Sequence, residues 1–159
     1  MMNVKFITLG TLKEAYLREA AAEYEKRLGA FCRFENVQLK EERLYDDPSD
    51  AEIRNALERE SEKILAEIPP RAFCVAMCVE GKQLSSEELA EKISAVSNQS
   101  SDICFIIGSS FGLSDRVKQR ADMRLSVSKL TFPHQLMRIL LLEAVYRVFN
   151  IQRGTKYHK

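Results

Sequence analysis

Two segments without a single charged residue most constrain how this chain can fold. Residues 72–79 and 103–107 are apolar or small throughout, with Gly81 and Gly108 close behind them. Such continuous apolar runs are typical of strands that helices cover on both faces, which is the situation in parallel sheets. We therefore predict an α/β fold with a mostly parallel sheet and helices on both faces.

The rest of the chain alternates between the two kinds of element, as this fold requires. Further strands are predicted over residues 3–9, 31–39 and 125–127, and Gly81 is expected to end the strand that begins at 72. Helices are predicted over 12–28, 49–68, 85–96, 114–121 and 133–150. Ser49 and Ser85 each precede a glutamate by three residues, which is the capping-box spacing. The first helix is expected to turn Leu12, Tyr16, Ala20, Tyr24 and Leu28 towards the core.

The size and composition of the chain favour one compact domain over residues 1–159, ending in a short basic tail at 151–159. A chain of 159 residues that is 45% hydrophobic can bury a core of its own. It shows no signal peptide and no membrane-spanning run, so we expect a cytoplasmic protein with no membrane partner. The four cysteines form no CxxC pair and are predicted to be buried free thiols, and no metal site is predicted.

Charge is distributed unevenly along the chain. Residues 1–100 contain 14 basic and 19 acidic side chains, whereas residues 101–159 contain 10 basic and 4 acidic ones. This asymmetry is compatible with an anionic partner bound to the C-terminal part, and equally with a solvated basic face. Charge alone does not decide between them.

The predicted last helix carries more apolar surface than one core face needs. It is expected to begin at Pro133, and its apolar positions are Leu136, Ile139, Leu140, Leu141, Ala144, Val145, Val148 and Phe149. We therefore predict a homodimer through this helix. Beyond it, residues 153–159 form a cationic arm that contains Tyr157 and His158.

Ligands of open α/β sheets bind at the carboxyl ends of the strands, which here are followed by loops after residues 79, 107 and 127. Residues 108–112 read GSSFG, which is neither a Walker loop nor GxGxxG and is also compatible with an ordinary turn. No Ser/His/Asp order, metal-ligand cluster or close carboxylate pair is present to support hydrolysis or metal chemistry. The reaction class that remains is one in which a cofactor carries the reactive group.

Several segments together resemble the RlmH family of small SPOUT-class methyltransferases. They are residues 23–28, Gly81-Lys82, 106–108, Gly112-Leu113, Leu125-Ser126, 131–134, Arg138, Glu143, Tyr146-Arg147 and 157–159. The resemblance covers the whole chain. It implies a C-terminal trefoil knot, a homodimer, and S-adenosylmethionine bound in the knot. It also implies methyl transfer to N3 of pseudouridine 1915 in 23S rRNA, within the assembled ribosome.

The same resemblance implies the site residues. The cofactor is expected at Ala76, Gly108, Val127, Ser128, Lys129, Leu130, Thr131 and Phe132. The family usually has glycine where this chain has Ser109, and commonly leucine where it has Ala76, so the fit around the cofactor can differ in detail.

Arg153, Tyr157 and His158 are expected to act on the target base, from the same or the partner subunit; a frayed terminus is the alternative for this tail. Which group takes the proton stays open. The competing functions are a non-catalytic RNA-binding module on the same fold and, less well supported, a phosphate- or flavin-binding domain. Binding of S-adenosylmethionine separates the enzyme from the binding module.

Overall fold

A computed structural model describes residues 1–158 and contains one five-stranded sheet. The strands are β1 (Asn3–Leu9), β2 (Arg33–Leu39), β3 (Phe73–Gln83), β4 (Asp102–Ile107) and β5 (Met123–Ser126). Their order across the sheet is β2-β1-β4-β3-β5, and every neighbouring pair is parallel. The predicted parallel α/β sheet is confirmed.

Five helices cover both faces of this sheet. They are α1 (Ala15–Leu28), α2 (Asp50–Glu67), α3 (Ser86–Ser97), α4 (Asp115–Arg120) and α5 (His134–Arg153). Side chains alternate along the central strands, so that Phe6 and Phe105 pack with α1, α3 and α5. Their neighbours Ile7 and Ile106 pack on the opposite face with residues of α2 and α4. This double covering explains why residues 73–79 and 103–107, in β3 and β4, lack charged side chains.

Helix boundaries follow the capping signals closely. Ser49 and Ser85 form the two predicted capping boxes, and the Ser114 hydroxyl accepts a hydrogen bond from the backbone of Val117. The last helix begins one residue later than predicted, because Pro133 is its N-cap, and it continues to Arg153. Gly154 then ends it in a left-handed conformation with φ 67°.

The predicted inner face of α1 was partly wrong. Tyr16 is 67% exposed, while Leu17 and Ala21 are buried against the core. The helix starts at Ala15 rather than at residue 12. Its buried face contains Leu17 and Ala21, each one position after the predicted Tyr16 and Ala20. Leu28 is buried, as predicted.

The predicted end of β3 at Gly81 was also wrong, because the strand continues to Gln83. Its pairing with β5 shifts on the way: Met77 and Lys82 are both aligned with Leu125, and the residues between them bulge out of register. Gly81 therefore lies within an irregular strand that stays close to β5.

Within residues 1–158, no helix is both long and apolar enough to cross a membrane, and no group of His, Cys, Asp and Glu side chains could hold a metal ion. All four cysteines are free thiols, as predicted. Cys32, Cys74 and Cys104 are buried, as predicted, whereas the predicted burial was wrong for Cys78, which is half-buried.

Candidate cofactor and substrate site

A cavity of about 830 Å³ opens at the carboxyl ends of β3, β4 and β5. Its walls are the β3 end at 77–80, the loop at 107–113, the segment 125–133 after β5, and the first turn of α5. The parallel topology brings these segments together, because the strands end at the same edge of the sheet. The predicted ligand edge is therefore where the cavity lies.

The loop after β4 is a tight turn that depends on its first glycine. A Cβ atom on Gly108 would lie 2.4 Å from the carbonyl oxygen of Gly112, which is closer than any side chain can come. The Gly112 amide donates a hydrogen bond to the Ser109 carbonyl at 2.8 Å, and Gly112 itself has φ 86°. Both glycines are thus required by the shape of the turn.

The segment after β5 forms the facing wall and is held by hydroxyl groups. The Ser126 hydroxyl donates to the Ser128 carbonyl at 3.0 Å, and the Leu130 amide donates to the Ser128 hydroxyl at 3.0 Å. Val127 and Leu130 are 41% and 72% exposed, although both are apolar. Exposed apolar side chains around a cavity are typical of a ligand site.

Charged and ionisable groups lie at the border of the cavity. Lys118 donates to Glu80 at 2.5 Å, and this bond holds the pKa of Glu80 below its ordinary value. His134, in the first turn of α5, also lines the cavity, and its Nε2 lies 3.9 Å from Glu41. Lys118, Glu80 and His134 thus place polar groups at the wall of the cavity.

Six of the eight predicted cofactor residues line the cavity: Gly108, Val127, Ser128, Leu130, Thr131 and Phe132. Ala76 does not, because it is fully buried in the core on the α2 and α4 face of the sheet. Lys129 is exposed and outside the lining. Neither Ala76 nor Lys129 lines the cavity in this conformation, so a role for either residue in cofactor binding stays a prediction.

Other lining residues were missed by the sequence argument. They include Met77, Cys78, Val79, Glu80, Lys118, His134 and Met137. For the lining residues on β3, the one sequence signal was the predicted ligand-binding loop that follows residue 79. Nothing in the sequence places Lys118 and Met137, which lie on two different helices, against one cavity.

Tyr157 folds back along α5 and contacts Glu143. Its hydroxyl donates to Glu143 Oε2 at 2.7 Å, and its ring packs edge-on against Tyr146 with the centroids 4.8 Å apart. Burial, and then the bond to the Glu143 carboxylate, raise the pKa of Tyr157. In this arrangement the phenol stays protonated at neutral pH and acts as a hydrogen-bond donor.

His158 makes a polar contact with each of its ring nitrogens. Nδ1 lies 3.3 Å from an Arg147 nitrogen, and Nε2 lies 2.6 Å from Glu87 Oε1. A guanidinium can only donate, so Nδ1 accepts from Arg147 and Nε2 carries the proton that is donated to Glu87. The same contact holds the pKa of Glu87 below its ordinary value.

Arg153 lies over the Phe31 ring, 4.5 Å from its centroid, and donates to the Ala30 carbonyl. None of Arg153, Tyr157 and His158 lines the cavity of its own chain. Glu143, the partner of Tyr157, is six residues along α5 from Met137, the last residue of that helix in the cavity lining, or about 9 Å at 1.5 Å per residue. Within one chain the tail and the cavity are therefore separate.

The glycine-dependent loop and the cavity lie at the carboxyl edge of the sheet, which is where open parallel α/β folds bind their ligands. The family model described as "Predicted SPOUT methyltransferase" matches residues 2–158. The chain therefore belongs to the SPOUT methyltransferase family.

Curated relatives match the chain along its entire length. It is 48% identical over 159 residues to "Ribosomal RNA large subunit methyltransferase H" of Streptococcus thermophilus strain CNRZ 1066. The protein of the same name from Bacillus pumilus is 46% identical, and in each case 99% of this chain and 100% of the relative are covered.

A solved structure of a probable methylase family protein from Haemophilus influenzae Rd KW20 has a similar fold. Its TM-score is 0.55 at 15% identity, over 99% of this chain and 71% of that one. At this identity the likeness concerns the fold alone.

Proposed function

We propose that this protein uses S-adenosylmethionine to methylate N3 of pseudouridine 1915 in 23S rRNA, on the assembled ribosome in the cytoplasm. The observation that carries the proposal is the full-length similarity to relatives named ribosomal RNA large subunit methyltransferase H. The cavity at the ends of β3, β4 and β5 supplies a site where the cofactor can bind. The trefoil knot implied by the family resemblance stays a prediction.

The residues around the cavity suit S-adenosylmethionine. Its volume of about 830 Å³ is within the range of roughly 300–1,000 Å³ that small-molecule sites occupy. Phe111, Val127 and Leu130 offer apolar contacts for an adenine ring, and the turn at Gly108 lets backbone approach the ligand. Glu80 and Lys118, already paired with each other, supply one anionic and one cationic side chain at the border of the cavity.

The cofactor, when bound, supplies a methyl group on a sulfonium. N3 of pseudouridine carries a proton near neutral pH, so this proton must leave to a base or to water as the N–CH₃ bond forms, while the S–CH₃ bond of the sulfonium would break to leave a neutral thioether. The chain's own task is then to hold the base in place and to stabilise the negative charge that develops on the ring. Arginine, tyrosine and histidine side chains can all donate hydrogen bonds for that purpose.

We assign this task to Arg153, Tyr157 and His158 of a second subunit, because within one chain the tail is separate from the cavity. A partner subunit packed along α5 would bring its own tail near the cavity of the first. The surface of α5 supports such packing: Leu136, Ile139 and Leu140 stay half-exposed, although they are apolar. Release of Tyr157 and His158 from Glu143 and Glu87 would free both side chains to bind RNA.

Calorimetric titration with S-adenosylmethionine tests the site. Replacing Val127 by Trp fills the cavity and should weaken binding at least tenfold while circular dichroism stays unchanged. Tyr45→Trp is the matched control, since Tyr45 is 78% exposed and outside the cavity lining, and it should leave the affinity within twofold. A wild-type protein that does not bind the cofactor would favour the RNA-binding module instead.

A further inference from the structure

Glu60, on α2, is a buried carboxylate whose two oxygens join two loops. It is 2% exposed. Its Oε1 accepts a hydrogen bond from the Ser109 hydroxyl at 3.0 Å, and its Oε2 accepts one from the backbone amide of Glu42 at 2.9 Å. Burying a carboxylate is unfavourable unless hydrogen bonds compensate, so the two bonds of Glu60 are what makes its burial possible.

The next residue of α2 holds the other end of the same cavity loop. Ser61 is 1% exposed, and its hydroxyl is hydrogen-bonded to that of Ser114, the N-cap of α4. Ser61 also donates to the Leu57 carbonyl at 2.6 Å, so its single proton is used and Ser114 must be the donor between the two hydroxyls. Adjacent residues of one helix thus fix the loop near its beginning, at Ser109, and at its end, at Ser114.

The middle of this loop has little other support. Ser109, Ser110 and Phe111 line the cavity of about 830 Å³ on one side and a second cavity of about 490 Å³ on the other. Ser110 and Phe111 are exposed. The Gly112–Ser109 hydrogen bond closes the turn itself, but a backbone between two cavities has few packing neighbours, so the position of this turn depends on the bonds at the ends of the loop.

We propose that Glu60 is a positioning residue for cofactor binding, which holds the loop 108–114 in the binding shape through Ser109, with Ser61 holding its far end. Glu60 itself touches neither the cofactor nor the target base. This inference rests on the proposed function, because it takes the cavity to be the S-adenosylmethionine site. It extends the binding machinery to α2, on the far side of the loop.

Calorimetric titration of the full-length protein with S-adenosylmethionine tests the role. Glu60→Ala and Ser109→Ala each remove the bond between helix and loop and should weaken binding at least fivefold. Glu60→Gln should stay within threefold, because its amide can accept from the Glu42 amide and donate to the Ser109 hydroxyl. Glu62→Ala, at an exposed position two residues along α2, is the matched control and should bind like the wild type.

The double variant Glu60→Ala/Ser109→Ala tests whether the two residues act on binding through the same hydrogen bond. Both changes break the same bond, so the double variant should bind within twofold of Glu60→Ala alone. A purely structural role would lower the unfolding temperature but leave the affinity of the folded fraction unchanged.

If the wild type binds S-adenosylmethionine and the folded Ser109→Ala variant binds it equally well, the positioning role of Glu60 is wrong, while the proposed function still stands. That variant decides the question even if Glu60→Ala does not fold. A wild type that fails to bind would overturn the proposed function and this inference with it.

Discussion

Gly81 and Leu125 approach so closely that a side chain does not fit between them. A Cβ atom on Gly81 would lie 2.8 Å from the backbone nitrogen and carbonyl carbon of Leu125. The contact lies at the shift in pairing where Leu125 is aligned with both Met77 and Lys82. Because Leu125 and the residues after it form one wall of the cavity, this contact helps to set the position of that wall.

Replacing Gly81 by Ala should therefore destabilise the fold. The added methyl group meets backbone rather than a flexible side chain, so we expect a loss of about 1–3 kcal/mol in the free energy of unfolding. Urea unfolding measures it. Gly29→Ala is the control, since a Cβ there would lie 3.3 Å from its nearest neighbour and the backbone is right-handed, so its effect should stay under about 1 kcal/mol. Equal effects of the two changes would contradict this reading of Gly81.

Cys78 should be the thiol that reacts first in the folded protein. It is half-buried and lines the cavity, whereas the other three thiols are buried, and burial raises the pKa of Cys32 to about 11. Burial also raises the pKa of Cys78, so its labelling should be slow at neutral pH and speed up as pH rises. Saturating S-adenosylmethionine should slow that labelling at least threefold. A rate that does not change with cofactor would place the ligand elsewhere, and Cys78→Ser controls for labelling at the other thiols.

Leu140 is expected to lie in the contact between two subunits. It is an apolar residue of α5, half-exposed in one chain, and it is not part of the core cluster that contains its neighbours Leu141 and Leu142. Leu140→Glu would bury a charge in the contact and should give monomers in sedimentation at micromolar concentration. Tyr45→Glu, in the exposed loop before α2, should remain dimeric. A wild type that is monomeric at this concentration would refute the dimer itself.

The tail should serve the RNA and not the cofactor. Removing residues 153–159 should leave the affinity for S-adenosylmethionine within about threefold, or under roughly 0.7 kcal/mol, because no tail residue described lines the cavity of its own chain. The same truncation should abolish methyl transfer to ribosomes. If the truncated protein, folded by circular dichroism, transfers methyl groups at a comparable rate, the tail has no part in the reaction.

Patterns local in the sequence were the reliable guides to this fold. The uncharged run at 103–107 and the capping boxes at Ser49 and Ser85 predicted β4 and the starts of α2 and α3 correctly, because each signal lies within the element that it defines. Gly81 was misread as a strand end, because its glycine is required by a contact with Leu125, 44 positions away in the chain. Tyr16 was misplaced because helical spacing alone does not decide between two adjacent stripes of apolar residues.

The site shows the same division between local and distant information. The loops that form the cavity could be predicted, since any parallel sheet gathers its strand ends at one edge. The bond from Ser109 to Glu60 spans 49 positions and joins residues with no shared motif, so nothing local indicated it. The sequence indicated Ser109 as a possible hydrogen-bond donor and as a departure from the family's glycine, but not that its hydroxyl donates to Glu60.

Methyl transfer to ribosomes tests the central claim most directly. Ribosomes that lack the modification at pseudouridine 1915 would be incubated with the protein and S-adenosylmethionine labelled in its methyl group, beside protein-free rRNA of the same source. With a net charge of only +1, the chain has little general attraction for RNA, so recognition should depend on the shape of the ribosomal site. We predict one labelled methyl group per ribosome, at that base, and much slower labelling of the free rRNA. Ribosomes left unlabelled by a protein that binds the cofactor, or labelled at another base, would contradict the account.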